Sequence, residues 1–310
     1  MANFEKFILT SEHDGLALSV MHAEPVGVAV KGVVQIVHGM SEYKERYVAL
    51  MEYLAENGFA SVIHDHRGHG ASLRSAEDLG YMYEAGVKGF LADVAAVNDW
   101  AKNKYKDLPM IMIGHSMGSL GARCFLKEYG AVMDLLILSG SPMKNGAVGV
   151  ARALAKMLKA FGRGKKKSKF LEALVFGPYA AAFRKEKSRF AWICKAIDVV
   201  RNYEVDPMCG FTFTADGFEV LFDLLYRTYE NKKHPYKEAK KSLPIMFISG
   251  EEDPCIGGEK NFKTAMASMR EAGFESVSGK MYETLRHEIF NEEEKYEVFQ
   301  DVLNFIEDNV

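Results

Sequence analysis

The 310-residue sequence predicts an α/β fold, a mostly parallel central sheet flanked by helices and interrupted by a helical cap insertion. Three observations predict it. Short continuous apolar runs of the kind that form strands buried on both faces recur along the chain, as in GVVQIVHG at 32–39. They alternate four times with segments whose apolar residues recur at helical spacing. The alternation then stops after residue 141, and strand patterning returns only near residue 242.

The elements follow in order. FEKFILTS and LALSVMHA flank His13, Asp14 and Gly15, and read as an opening β-hairpin. After the strand GVVQIVHG, ERYVALMEYLAENG (45–58) sets Tyr47, Leu50, Met51, Leu54 and Ala55 on one helical face, and Gly58 stops it. FASVIHD (59–65) is a second buried strand. The helix at 87–105 gathers Val87, Phe90, Leu91, Val94, Val97 and Trp100 on one side. Strand PMIMIGH (109–115), helix SLGARCFLKEYG and strand DLLILSG (134–140) complete the alternation. Between 142 and about 240 no buried strand is recognisable, and ARALAKMLKAF, FLEALVFGPYAAAF, FAWICKAIDVV and GFEVLFDLLYRTYE read as helices and loops. Strand PIMFISG (244–250), a helix near 259–272, strand SVSGKMYE (276–283) and a helix near 293–308 end the pattern. The expected organisation is a core of residues 1–141 and 242–310, with 142–241 inserted as a helical cap, or lid.

Composition narrows the function. A formal charge of −3 and a pI near 6.3 give no global case for nucleic acid. Cys124, Cys194, Cys209 and Cys255 are scattered with no C-x-x-C pair, which fits a reducing compartment and argues against a disulfide framework. The first residues lack a basic region followed by an apolar run, and no stretch of eighteen apolar residues occurs, so a cytoplasmic protein is expected. HDHRGHG at 64–70 brings His64, His66 and His69 close together. The common zinc pattern H-x-H-x-D-H has an aspartate where this chain has Gly68, and no second histidine cluster supplies further ligands. No metal and no cofactor is expected. The loop reads instead as a tight path braced by Asp65 and Arg67.

Ligands of open parallel sheets bind at the carboxyl ends of the strands. There, GHSMG (114–118) follows an apolar strand and precedes an apolar-periodic helix, the setting in which G-x-S-x-G forms a nucleophile elbow. Ser116 is the candidate nucleophile. A serine hydroxyl needs a base, and in chain order the acid and then the histidine follow the serine. Only His234 and His287 come after Ser116. His287 lies just beyond the last strand and is preferred. The acid is sought after PIMFISG among Glu251, Glu252 and Asp253, of which Asp253, set furthest into the loop, is preferred. A tetrahedral intermediate needs two amide donors. Met117, after the nucleophile, supplies one, and Met40, in HGMSE (38–42), is the candidate for the other.

With HGMSEYKERY (38–47), DHRGHGAS (65–72), GHSMG (114–118), NYEVDPMCG (202–210), GEEDPC (250–255) and LRHEIFNE (285–292) in this order, the chain resembles the α/β-hydrolases of the monoacylglycerol lipase and lysophospholipase family. The resemblance implies an α/β-hydrolase fold with Ser116 as nucleophile, Asp253 as acid, His287 as base and the amides of Met40 and Met117 as oxyanion hole. Two positions depart from the family, which often has glycine at Ser41 and histidine at Tyr43.

The insertion is the expected lid. Ala151, Leu154, Ala155, Leu158 and Phe161 share one helical face, and eight basic and no acidic residues fall within 152–169, the last being Lys169. Two readings stand: a helix at a membrane interface, attracted to anionic headgroups, or a cap helix on the core followed by a solvated basic loop. The expected activity is hydrolysis of carboxylic esters of single-acyl-chain lipids, monoacylglycerol or lysophospholipid. A short-chain esterase, thioesterase or peptidase with the same triad, and a ligand-binding module without turnover, are the alternatives. Acyl-chain length, leaving alcohol and oligomeric state stay open.

Overall fold

The computed structural model describes residues 1–310. Eight strands form one sheet: β1 (Ala2–Thr10), β2 (Ala17–Pro25), β3 (Gly32–Val37), β4 (Phe59–His64), β5 (Met110–His115), β6 (Leu135–Ser139), β7 (Ile245–Gly250) and β8 (Val277–Tyr282). Their spatial order is β1-β2-β4-β3-β5-β6-β7-β8. The opening hairpin pairs antiparallel, β2 pairs antiparallel to β4, and every later pairing is parallel. Strands β3 to β7 are buried at every position, because helices cover both faces of the parallel part.

On one face lie α1 (Val48–Glu56) and α9 (Lys295–Glu307), whose Leu50, Leu54, Phe299 and Val302 meet Ile36, Ile63 and Ile113 of the sheet. On the other lie α2 (Gly86–Lys104), α3 (Met117–Tyr129) and α8 (Glu259–Glu271). A short 3₁₀ turn, Lys44–Tyr47, leads into α1. Between β6 and β7 the chain makes α4 (Val148–Leu158), α5 (Lys169–Ala182), α6 (Ile197–Val205) and α7 (Ala215–Tyr229). Helix α7 packs against α2 and α3, so Phe218, Leu221 and Leu224 join the same apolar cluster as the sheet. Helix α4 lies on α7.

Two details of this stretch differ from the sequence reading. FAWICKAIDVV does not form a helix from Phe190; residues 190–196 run as turns and α6 starts at Ile197. The backbone is drawn out of helical pairing by partners far along the chain. The amides of Lys195 and Ala196 donate to the Glu292 carboxylate, and the Ile193 carbonyl accepts from the Glu288 amide at 2.7 Å. The second difference concerns α4. Ala155 is fully buried and Leu154 and Leu158 pack inward, but the helix ends at Leu158 and Phe161 is 75% exposed. Of the basic residues there, Arg152 pairs with Asp223, Lys159 with Asp216 and Glu219, and Lys165 with Asp78. Arg163, Lys166, Lys167 and Lys169 have no ion pair.

The loop after β4 is built as a brace. Asp65, buried, accepts from the Lys44 ammonium at 2.6 Å and from the amides of Lys44 and Ala71. Arg67 is fully buried and donates twice to Asp93, at 2.7 and 2.9 Å. Removing either carboxylate would leave a buried cation only its longer second partner, Glu45 for Lys44 and Asp14 for Arg67, at a cost of up to about 3–5 kcal/mol. The four imidazoles of His38, His64, His66 and His69 pack behind the loop after β3, where the His66 amide donates to His38 Nε2 at 2.9 Å. Burial holds all four well on the neutral side of the ordinary histidine range.

Candidate active site

Strand β5 ends at His115 and α3 begins at Met117, so Ser116 alone makes the turn between them. It does so at φ +51°, a left-handed conformation that a non-glycine residue adopts only under tertiary constraint. The constraint is visible at Gly118. A Cβ there would stand 1.9 Å from the Val37 carbonyl oxygen, so only glycine lets α3 start so close to β3. The turn lifts the Ser116 hydroxyl above the carboxyl edge of the sheet.

The loops after β7 and β8 bring two further side chains to that edge. His287 Nδ1 lies 2.8 Å from Asp253 Oδ2, and His287 Nε2 lies 2.8 Å from Ser116 Oγ. A carboxylate only accepts, so Nδ1 carries the proton it donates to Asp253, and Nε2 is left as acceptor for the serine hydroxyl. Asp253 is fixed by two more donors, the Ser249 hydroxyl at 3.1 Å and the Cys255 amide at 2.8 Å. Both Asp253 and His287 are buried. Gly140, at the end of β6, has φ +53°, and a Cβ on it would press on the His287 ring at 3.0 Å. Burial opposes the imidazolium form of His287, but Asp253, through charge and hydrogen bond, with Glu288 and Glu42 behind it, outweighs that and raises its pKa. His234 sits elsewhere, against Tyr226.

Met40 and Met117 line the same cavity as Ser116. Met117 opens α3, so its N–H has no carbonyl partner a turn earlier. The Met40 N–H donates to no other group of the protein. The loop carrying Met40 is held from below by Glu42, whose Oε1 accepts from the Gly39 amide at 2.5 Å and from the Tyr47 hydroxyl at 2.9 Å. Burial, and then Glu288, push the Glu42 pKa upward. Arg46 lies between the two, paired with both Glu42 and Glu288.

The two departures from the family pattern face the insertion. Ser41 has φ +56°, which accounts for glycine being common there, and its hydroxyl donates to the Phe211 carbonyl at 2.8 Å. Its own carbonyl accepts from the Gly210 amide and the Tyr203 hydroxyl, each at 2.9 Å. Tyr43 donates to Asp206 at 2.7 Å.

Above Ser116 opens a cavity of about 630 Å³, and 24 of its 39 lining residues are hydrophobic. Helices α4, α5 and α7 supply much of that wall, including Leu154, Val175, Phe176 and Leu221. Trp192 closes one side, its ring centroid 5.1 Å from that of His287. The sequence offers Trp192 only among the large apolar groups of the insertion, as tunnel lining or as the cap's own core, and does not single out Gly140, Glu42 or Glu288. Glu42 and Glu288 lie within motifs already noted, beside Met40 and His287, whereas nothing local to Trp192 or Gly140 marks either as a neighbour of the imidazole. The ligand atoms of Asp253, Cys255 and His287 also lie within 4.8 Å of one another, but two of the three are engaged in the chain of bonds to Ser116.

A family model described as serine aminopeptidase, S33, matches residues 28–294. The chain is 28% identical to a monoacylglycerol lipase of Mycolicibacterium smegmatis over 279 residues, 89% of this chain and 88% of that one. It is 26% identical to the phospholipase YtpA of Bacillus subtilis, over 86% of this chain and 92% of that one. Among solved structures, a thermostable carboxyl esterase from Bacillus coagulans in complex with glycerol superposes with a TM-score of 0.91 at 25% identity, covering 100% of this chain and 99% of that one. With a continuous match over most of its length and the sheet order described above, the chain belongs to this α/β-hydrolase family, in the company of monoacylglycerol lipases and carboxyl esterases.

Proposed function

We propose that the protein is a serine hydrolase that cleaves carboxylic esters of lipids with a single acyl chain, monoacylglycerol or lysophospholipid. Ser116 attacks the ester carbonyl as His287 takes its proton, and Asp253 orients the ring and stabilises the imidazolium. The Met40 and Met117 amides receive the oxyanion. His287 then protonates the leaving alkoxide and activates a water that releases the fatty acid.

The observation that carries this reading is the unbroken relay from Asp253 through His287 to Ser116, 2.8 Å at each step, on the floor of a mostly apolar cavity. The relay supports acyl transfer; the apolar wall supports a hydrocarbon chain as what it receives. Helices α4 and α5, which furnish much of that wall, belong to the insertion of residues 142–241 that acts as the lid. The exposed Phe161, Phe170 and Leu174, with the unpaired Arg163, Lys166, Lys167 and Lys169 nearby in sequence, make this the part of the lid that meets a lipid surface.

The test is a graded series. Monoacylglycerols and p-nitrophenyl esters from two to eighteen carbons, a lysophospholipid and an aminoacyl-anilide are offered to the protein and to Ser116→Ala. The expected result is kcat/KM rising with chain length, no anilide cleavage, and loss of at least about a thousandfold in Ser116→Ala. A peak at acetate, or cleavage of the anilide alone, would return the protein to the esterase or peptidase alternatives.

A further inference from the structure

The His287 loop is joined to the turn segment 186–196 of the insertion more closely than any other part of the relay is. On one side of His287, the Glu288 amide donates to the Ile193 carbonyl at 2.7 Å. On the other, Arg286 reaches into the same segment, donating to the Ala191 carbonyl at 2.6 Å and pairing with Glu186. One carboxylate closes the ring of bonds. Glu292, 1% exposed, accepts from the Arg286 amide at 3.0 Å, from the Lys195 amide with both oxygens at 2.9 Å, and from the Cys194 thiol at 3.0 Å. Trp192, two residues before Cys194, rests its ring against the imidazole from the insertion side, as His115 does from the sheet at 4.7 Å.

A carboxylate shut away from water and satisfied by amides from two distant segments fixes both in space. Here the first segment holds the backbone next to His287 and the second holds the aromatic wall of His287. We propose that Glu292 is a positioning residue for the base: it sets the place of the His287 ring by tying residue 286 to residues 194–196. The inference rests on His287 being the base. It also divides the insertion. The segment 186–196 belongs mechanically to the catalytic edge, so access to the cavity falls to α4 and α5, which carry no comparable tie to the His287 loop.

The test compares wild type, Glu292→Gln, Glu292→Ala and His287→Gln on p-nitrophenyl butyrate, a soluble ester, with thermal unfolding of each. Misplacing the base by a fraction of an ångström lowers kcat, so the expected fall is about tenfold for Glu292→Gln and about a hundredfold for Glu292→Ala, with KM changed by less than about twofold. A second readout uses Trp100→Phe, which leaves Trp192 as the sole tryptophan. Its emission is quenched when the neighbouring imidazole becomes protonated, and the amplitude of that quench shrinks in the Glu292 variants as the two rings part. If Glu292→Ala does not fold, Glu292→Gln decides, since its amide keeps the shape and one accepting oxygen. A folded Glu292→Gln with wild-type kcat and unaltered Trp192 quench overturns the proposal and reduces Glu292 to a stabilising contact. An active His287→Gln would overturn the base assignment instead, and an inactive one beside an unimpaired Glu292→Gln would remove only the positioning role.

Discussion

In the proposed mechanism His287 has to be neutral to accept a proton, yet its surroundings favour the charged ring. Asp253 at 2.8 Å, helped by Glu288 and Glu42, overcomes the penalty of burial and lifts its pKa above the ordinary value near 6.5. Activity in the free enzyme therefore rises with pH through that raised value, and kcat/KM against pH has a single ascending limb centred above 6.5. Glu288→Gln removes one of the carboxylates that favour the imidazolium and moves the limb to lower pH. A limb that stays in place would mean that the Glu288 charge does not reach the ring. At this scale the sequence was informative wherever chemistry and local turn coincide. Ser116, Asp253 and His287 each follow a strand closely, and their residue types restrict the choices. Trp192 and Glu292 carry no such mark, because what matters about them is a contact made across about a hundred residues of chain.

The elements show the same division. Strands β3 to β7 were legible as unbroken apolar runs, since a strand covered by helices on both faces has no polar side to encode. Residues 190–196 were not, because their helix-compatible pattern is overridden by hydrogen bonds to the His287 loop, and bonds of that range leave no periodicity behind. The elbow depends on an element contact that only the structure displays, the approach of α3 to β3 at Gly118. Gly118→Ala puts a methyl carbon against the Val37 and His38 carbonyls, and overpacking of this kind costs about 3 kcal/mol. The expected outcome is a lower urea midpoint together with a kcat loss larger than the stability change alone produces, as the Ser116 hydroxyl leaves its place. Gly149→Ala, in open space on α4, is the matched control, and is expected to stabilise by about 0.5–1 kcal/mol. Equal, small effects at both positions would show that the close approach is not tight.

At the scale of the whole molecule, six buried imidazoles set the acid limit. His22, His64 and His69 are lowered to about 4, 3 and 4, and His38, His66 and His115 lie well below the usual range, in every case chiefly through burial. Between pH 6.5 and about 4 the unfolded chain binds protons there that the folded chain refuses, so stability is full above 6.5 and falls as the pH drops below it. His287 acts in the opposite sense: its raised value adds stability below 6.5 that is lost as pH rises through the folded value. With six groups against one, the urea midpoint is expected to fall steadily from pH 7 to pH 5, and a flat profile would contradict the neutral packing behind the oxyanion loop. The molecule as a whole thus places a rigid, neutral foundation under a charged relay, with the apolar wall of α4, α5 and α7 above it. The proposed chemistry requires that one hydroxyl, that of Ser116, be the group that is acylated. Incubation with a long-chain alkyl fluorophosphonate, followed by peptide mass spectrometry, is expected to give a single adduct on the peptide containing Ser116 and none in Ser116→Ala. An adduct on any other residue, or undiminished labelling of Ser116→Ala, would contradict it.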